Sequence, residues 1–238
     1  MLLQHPHRGF SEVPYIKLGG MHTVDHWGTK GVQRPGSLQW GMAGSGIQHG
    51  GGPAPDVEGA GDEMQGFQLW VNLPAANKMD PPVFQDASPE ALPEVQLSDC
   101  LRAKVLVGAL GDSSSPIQTI VPVTYVDYMC APGGDGVHEF DAEQSARFVY
   151  VYGGEGIVGE QRCCKGDVLR LSTEGEALSF SNAGETEFGF VLLSGRPIGE
   201  PVVQHGPFVM ASREQIMEAF RDYQMGGLCE EKCSYVKY

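Results

Sequence analysis

His5 and His7 stand one residue apart in the opening run His5-Pro6-His7-Arg8-Gly9-Phe10-Ser11-Glu12. On an extended segment, alternate residues project to the same face, so both imidazoles can reach one ion. His49 supplies a third nitrogen donor. It closes the run from Gly36 to His49, where a strand, a glycine turn and a second strand would carry it back beside the first pair. Three imidazoles in that arrangement suit iron, copper, nickel or zinc.

The elements that must position these residues read as strands. Val13–Leu18 is an expected strand, Gly19-Gly20 a turn, and Ser37–Met42 a strand in which Leu38 and Trp40 alternate with polar neighbours. Gly44 and Gly46 permit the bend that aims His49 inward. Gly50 to Glu63, with Asp56, Glu58, Asp62 and Glu63, reads as a mobile flap over or beside the site. Phe67, Leu69, Val71 and Leu73 then alternate strictly, the mark of a half-buried strand.

Several blocks carry a family resemblance: H-P-H-R-G-F at His5 to Phe10, L-Q-W at Leu38 to Trp40, A-G-S-G-I-Q-H at Ala43 to His49, and F-Q-L-W-V-N-L-P at Phe67 to Pro74. A longer block runs G-R-P-I-G-E-P-V-V-Q-H-G-P-F-V-M from Gly195 to Met210. Through them the chain resembles the pirin family, two-domain members of the cupin superfamily, up to about Gly226. The resemblance implies an all-β fold of two cupin (jelly-roll β-barrel) domains in tandem with a short C-terminal α-helix. The first domain, residues 1–96, would hold the metal and would be N-terminally truncated: only four residues precede the paired histidines, so opening strands are expected to be missing and an edge left open. Residues 97–226 would form the second cupin with the terminal helix and no metal site, and 227–238 a flexible tail around Cys229 and Cys233.

The resemblance also implies chemistry. It points to a metal-dependent dioxygenase acting on a flavonol such as quercetin, with one divalent or trivalent ion, iron first and copper, nickel, manganese or zinc as alternatives. Two other roles compete: a non-enzymatic, iron- or redox-responsive regulator working through protein partners in transcription, and a metal-free inactive relative. His5, His7 and His49 carry over as ligands. The family's glutamate two residues after the third histidine does not, because Gly51 stands there. Glu12 is the candidate replacement, at the H-x-H-x-x-x-x-E spacing of other metal-binding cupins, and would serve as both ligand and base. An unbroken strand would aim it away from the histidines, so a bulge is expected to bring it in. Acids of the flap, or a plain three-histidine site, are the other possibilities. Arg8 and Trp40 are candidates for the substrate pocket, although an arginine here can equally bridge strands and a tryptophan on a strand equally fill the core.

Composition narrows the partners. The formal charge of −14 argues against direct nucleic-acid binding, which needs clustered Lys and Arg. No apolar run approaches membrane-spanning length and no leader is evident. Six cysteines without zinc-ribbon spacing fit a reducing cytoplasmic or nuclear setting, and a monomer is expected. Pro74 to Pro93 reads as the connection between barrels. His138 and His205 each stand alone and are expected to hydrogen-bond or lie at the surface, while His22 and His26 read as lying in a polar loop and facing solvent. Ser212 with Gln215 makes a capping box, followed by Ile216, Ala219, Phe220 and Tyr223 at helical spacing.

Overall fold

The computed structural model describes residues 4–57 and 63–238; of the expected flap, Glu58 and Asp62 lie outside the described residues. The architecture is all-β with a single α-helix among the described residues, as the strand-and-turn pattern predicts. The chain divides into two compact units, one of residues up to Ala91 together with Ile198–Tyr238, the other Leu92–Pro197.

In the first unit the strands are β1 (His5–His7), β2 (Phe10–Leu18), β3 (Met21–Asp25), β4 (Lys30–Gln33), β5 (Leu38–Met42), β6 (Ile47–Pro53), β7 (Gln65–Asn72) and β8 (Val83–Ala87). One sheet has the order β1-β6-β3-β4. The other runs from the C-terminal strand Ser234–Lys237 through β8, β5 and β2 to β7. The chain leaves the first sheet after His7 and enters the second at Phe10. Gly9 makes that crossing at φ +86°, where a Cβ would lie 2.1 Å from the Val209 carbonyl, so only glycine fits. Pro14, which has no N–H to donate, falls where the β2–β5 ladder is interrupted between Glu12 and Tyr15.

Two features of this unit differ from the expected division. The last residues are no loose tail: Ser234–Lys237 pairs in parallel with β8 from Ser234↔Val83 to Lys237↔Asp86, and Cys233 is buried against Ala43, Ile47 and Phe84. Pairing with a distant strand holds this short segment and occupies the sheet edge beyond β8. Likewise, the Pro74–Pro93 stretch is more than a connection, because it contains β8 itself.

The helix α1 (Arg213–Met225) also groups with the first unit rather than the second. Ser212 caps it by accepting from the Gln215 N–H at 3.3 Å, while Gln215 Oε1 accepts from the Ala211 N–H at 3.0 Å. Gly226 ends it in the left-handed region at φ +78°. Ile216 and Ala219 bury against Phe208, Met210 and Leu228; Tyr223, 38% exposed, lies off that face.

The second unit has a six-stranded sheet in the order Val168–Arg170, Ala146–Gly153, Phe188–Gly195, Val123–Cys130, Leu101–Val107, Glu94–Ser98, and a four-stranded one of Asp135–Glu139, Ala177–Asn182, Glu155–Val158, Gln161–Cys164. Its interior is filled by side chains. Tyr128 stacks on Phe190 with centroids 5.2 Å apart, and Phe180 and Phe188 pack edge-on or tilted against the same ring. His138 is buried there, its Nδ1 2.8 Å from the Tyr128 hydroxyl; burial, with Arg147 adding, lowers its pKa to about 4. It is a hydrogen-bonded neutral histidine, as its isolation in the sequence predicts.

Candidate metal centre

Antiparallel pairing places the histidines. His5 lies opposite His49, and His7 opposite Ile47, across the β1–β6 ladder. Partners across a ladder share a face, and so do residues two apart, so all three imidazoles project into the barrel. Their nitrogens lie within 4.8 Å of one another, and they form the one cluster of this kind among the described residues. The rings meet edge to face, with His5 and His7 centroids 4.8 Å apart and planes at 84°.

Glu12 faces them from the opposite sheet. Its Oε1 is 3.0 Å from His49 Nε2 and its Oε2 3.7 Å from His7 Nε2. No bulge is involved, contrary to the sequence expectation. Strand alternation does not carry across Gly9, because β1 and β2 belong to different sheets; parity restarts at Phe10 and turns Glu12 inward. Glu12 is 2% exposed, and the Gln68 amide donates to its Oε2 at 3.2 Å. Its Oε1 and His49 Nε2 are both buried without a hydrogen-bond partner. They are at hydrogen-bonding distance yet not aligned for one. Two ligands about 2.1 Å from a common ion and at right angles to it stand about 3.0 Å apart, so this spacing fits neighbouring donors around a cation. Among the described residues Glu12 has imidazoles and no lysine or arginine as ion-pair partners, and a metal cation would supply the counter-charge for a carboxylate buried there.

His7 is prepared for that role. Burial, reinforced by His49 and His5 and opposed by Glu12, lowers its pKa to about 4, so the ring is neutral near pH 7. Its Nδ1 lies 3.4 Å from the Pro207 carbonyl, which leaves Nε2 as the free lone pair toward Glu12. The donor set of three imidazoles and one carboxylate fits a transition-metal ion.

A cavity of about 330 Å³ opens on the cluster, lined by His5, His7, Glu12, Gln39, Gln68 and Trp70 among others. That volume is at the small end of ligand sites. The two residues expected to line it do not. Trp40 is 4% exposed and on the opposite face of β5 from Gln39, which does line the cavity; Trp70, 40% exposed and 5.6 Å from the His7 ring, takes the aromatic role. Arg8 is buried and turned toward α1: its Nε donates to the Ser45 carbonyl and its Nη1 pairs with Asp222 at 2.7 Å. It braces the histidine turn rather than a substrate. Gly51, two residues beyond His49 on the inward face, lines the cavity without offering a ligand. His22, on β3 rather than in a loop, pairs with Asp56 at the surface.

Sequence reasoning missed Gln39 and Gln68. Both are polar residues on the inner face of strands whose other face is apolar, and the usual apolar-inward reading puts them outside.

Among the described residues, no helix is long and apolar enough to cross a membrane. The Pirin family profile matches residues 2–71 and that of the Pirin C-terminal cupin domain residues 125–229. A Pseudomonas aeruginosa protein provisionally named a quercetin 2,3-dioxygenase is 39% identical over 231 residues, 94% of this chain and 79% of that one. A pirin-like protein of Solanum lycopersicum is 37% identical over 224 residues, covering 93% and 75%. The crystal structure of quercetin 2,3-dioxygenase from Acinetobacter baumannii superposes with a TM-score of 0.89 at 30% identity, over 95% of this chain and 78% of that one. With both halves matched and the two-barrel fold in place, the chain belongs to the pirin family of the cupin superfamily.

Proposed function

We propose that the chain is a metal-dependent dioxygenase of quercetin-type flavonols, with the ion held by His5, His7, His49 and Glu12. The observation that carries the reading is the convergence of Glu12 Oε1 and His49 Nε2, buried, 3.0 Å apart and without a shared hydrogen bond. The similarity to proteins named for quercetin dioxygenation supports the substrate class. Iron is the first choice of ion, with copper, nickel, manganese and zinc as alternatives.

When bound, a redox-active ion supplies electron exchange between the organic substrate and dioxygen. The protein's own side chains do the rest. Trp70 offers a flat apolar wall against which a planar phenol can lie. Glu12, fixed by Gln68, can accept the proton of a substrate hydroxyl, the base step that makes an enolate of the flavonol. Gln39, Gln68 and Thr23 line the same cavity and offer hydrogen-bonding groups to the oxygens of such a substrate. The sheets on either side exclude bulk water from His7 and Glu12, which are 4% and 2% exposed.

The test is oxygen consumption by purified protein loaded in turn with iron, copper, nickel and manganese, in the presence of quercetin. Turnover with at least one ion, lost in His49→Ala, is the expected result. Stoichiometric metal with no oxygen uptake across the series would overturn the dioxygenase reading, and absence of metal after reconstitution would overturn the site.

A further inference from the structure

The C-terminal strand reaches the rear of the histidine cluster. Across the five-stranded sheet the pairings Trp70↔Glu12, Glu12↔Gly41, Gly41↔Phe84 and Phe84↔Tyr235 form one inward-facing row. Tyr235 thus sits in the same row as Glu12, at the far edge of the sheet. Its ring stacks on Phe84, with centroids 5.5 Å apart and planes at 18°. Phe84 in turn lies 6.2 Å from the His49 ring. Phe84 has little freedom, because it rests over the bare backbone of Gly41, where a Cβ would come within 2.5 Å of the ring.

The Tyr235 hydroxyl then crosses to the other sheet and donates to Asp25 Oδ2 at 2.5 Å. Asp25 is 3% exposed and is the direct partner of His49 across the β3–β6 ladder. Its second carboxylate oxygen accepts from the Thr29 N–H at 2.7 Å, closing the turn after β3. One phenol therefore fastens the two sheets beside His49. A small cavity of about 100 Å³ is bordered by His49, Asp25, Phe84 and Tyr235. Burial and the Asp25 carboxylate both push the Tyr235 phenol well above its ordinary pKa, which keeps the donating proton in place at every ordinary pH.

We propose that Tyr235 is a positioning residue for the metal centre: through Asp25 on one side and Phe84 on the other, it sets the direction in which His49 presents Nε2. The proposal rests on His49 being a ligand, as proposed above, but concerns an arrangement present without any ion. A segment that reads as a terminal tail thereby becomes a wall of the site.

The test is Tyr235→Phe, which keeps the ring on Phe84 and removes only the hydroxyl. In metal-free protein, nitrogen-15 NMR of the imidazoles, with His49 assigned through His49→Gln, should show the His49 resonances displaced while those of His205 stay put. On reconstitution, copper affinity should fall about tenfold, the size of a typical outer-shell loss, with an altered copper EPR spectrum. An unchanged His49 ring in metal-free Tyr235→Phe would overturn the proposal, whatever the ion does. The same displacement in Val236→Ala, whose side chain is on the exposed face of that strand, would also overturn it by tracing the effect to strand pairing. If the unaltered protein binds no copper, the metal reading falls, and the imidazole spectrum still decides the role of Tyr235.

Discussion

The ammonium of Lys78 donates to the Gly9 carbonyl at 2.7 Å, holding the residue at which the chain passes from one sheet to the other. It donates also to Asn72 Oδ1 at 2.6 Å and to the Val209 carbonyl at 3.0 Å. The side chain is 1% exposed, and burial, partly offset by Glu200, lowers its pKa to about 8. Lys78→Met matches the length and removes the donor. Two buried carbonyls and the half-buried Asn72 amide oxygen would lose their partner, so a loss of about 2–4 kcal/mol is expected. Urea denaturation measures it, and metal stoichiometry should fall with it because the turn carrying His5 and His7 loosens.

Removing individual donors should separate the two barrels. His7→Ala should abolish stoichiometric metal, and Glu12→Gln should weaken binding by at least about tenfold, while His138→Ala leaves the stoichiometry intact. Elemental analysis of protein reconstituted in parallel is sufficient. Equal losses in His7→Ala and His138→Ala would contradict assigning the ion to the first barrel.

Gly51 allows a rescue. A Cβ there would meet the Met21 thioether sulfur at 3.3 Å, which a flexible methionine can relieve, and the His22 carbonyl at 3.1 Å, which needs a shift of a few tenths of an ångström in the β3 backbone; the glycine itself is not in the left-handed region. Gly51→Glu in a Glu12→Ala background should therefore recover most of the lost affinity, because the new carboxylate enters the same cavity from the facing sheet. Calorimetric titration with nickel would show it, and failure of the double variant to exceed Glu12→Ala would count against a shared ion position.

His138 gives the second unit a pH signature. Its folded pKa of about 4 lies below the ordinary 6.5. Between those values the unfolded chain takes up a proton that the folded chain refuses, so stability falls as pH drops from 6.5 toward 4, by about 3 kcal/mol in full. His138→Gln keeps a hydrogen-bonding group for Tyr128 and cannot titrate. Its unfolding free energy, followed from pH 7 to pH 4, should show a shallower decline than that of the unaltered chain.

Much of this was legible in the residues. The H-x-H pair, the glycine turn before His49 and the alternation of Phe67 to Leu73 located the three clustered imidazoles and the strands, because local periodicity fixes which side chains share a face. The direction of Glu12 was not legible, since alternation is interrupted at Gly9 by a change of sheet. Trp40 and Gln39 were exchanged for a related reason: this barrel keeps polar groups inside around its cavity, so the apolar-inward rule picks the wrong face. The Ser234–Lys237 strand was hidden because its partner β8 lies some 150 positions away, as Tyr235↔Phe84 shows, and short polar segments carry no signature of such distant pairing. Arg8 looked available to substrate until α1 supplied Asp222.

The passage through Arg8 and Gly9 has an evolutionary consequence. Because facing in β2 is counted afresh from that passage, inserting or deleting one residue there would swap Glu12 for Ser11 or Val13 at the centre, with every histidine untouched. Descendants of one ancestral barrel could in this way gain or shed the carboxylate that faces the three imidazoles through a length change alone, so that the spacing of a two-residue joint decides what lies opposite the histidines.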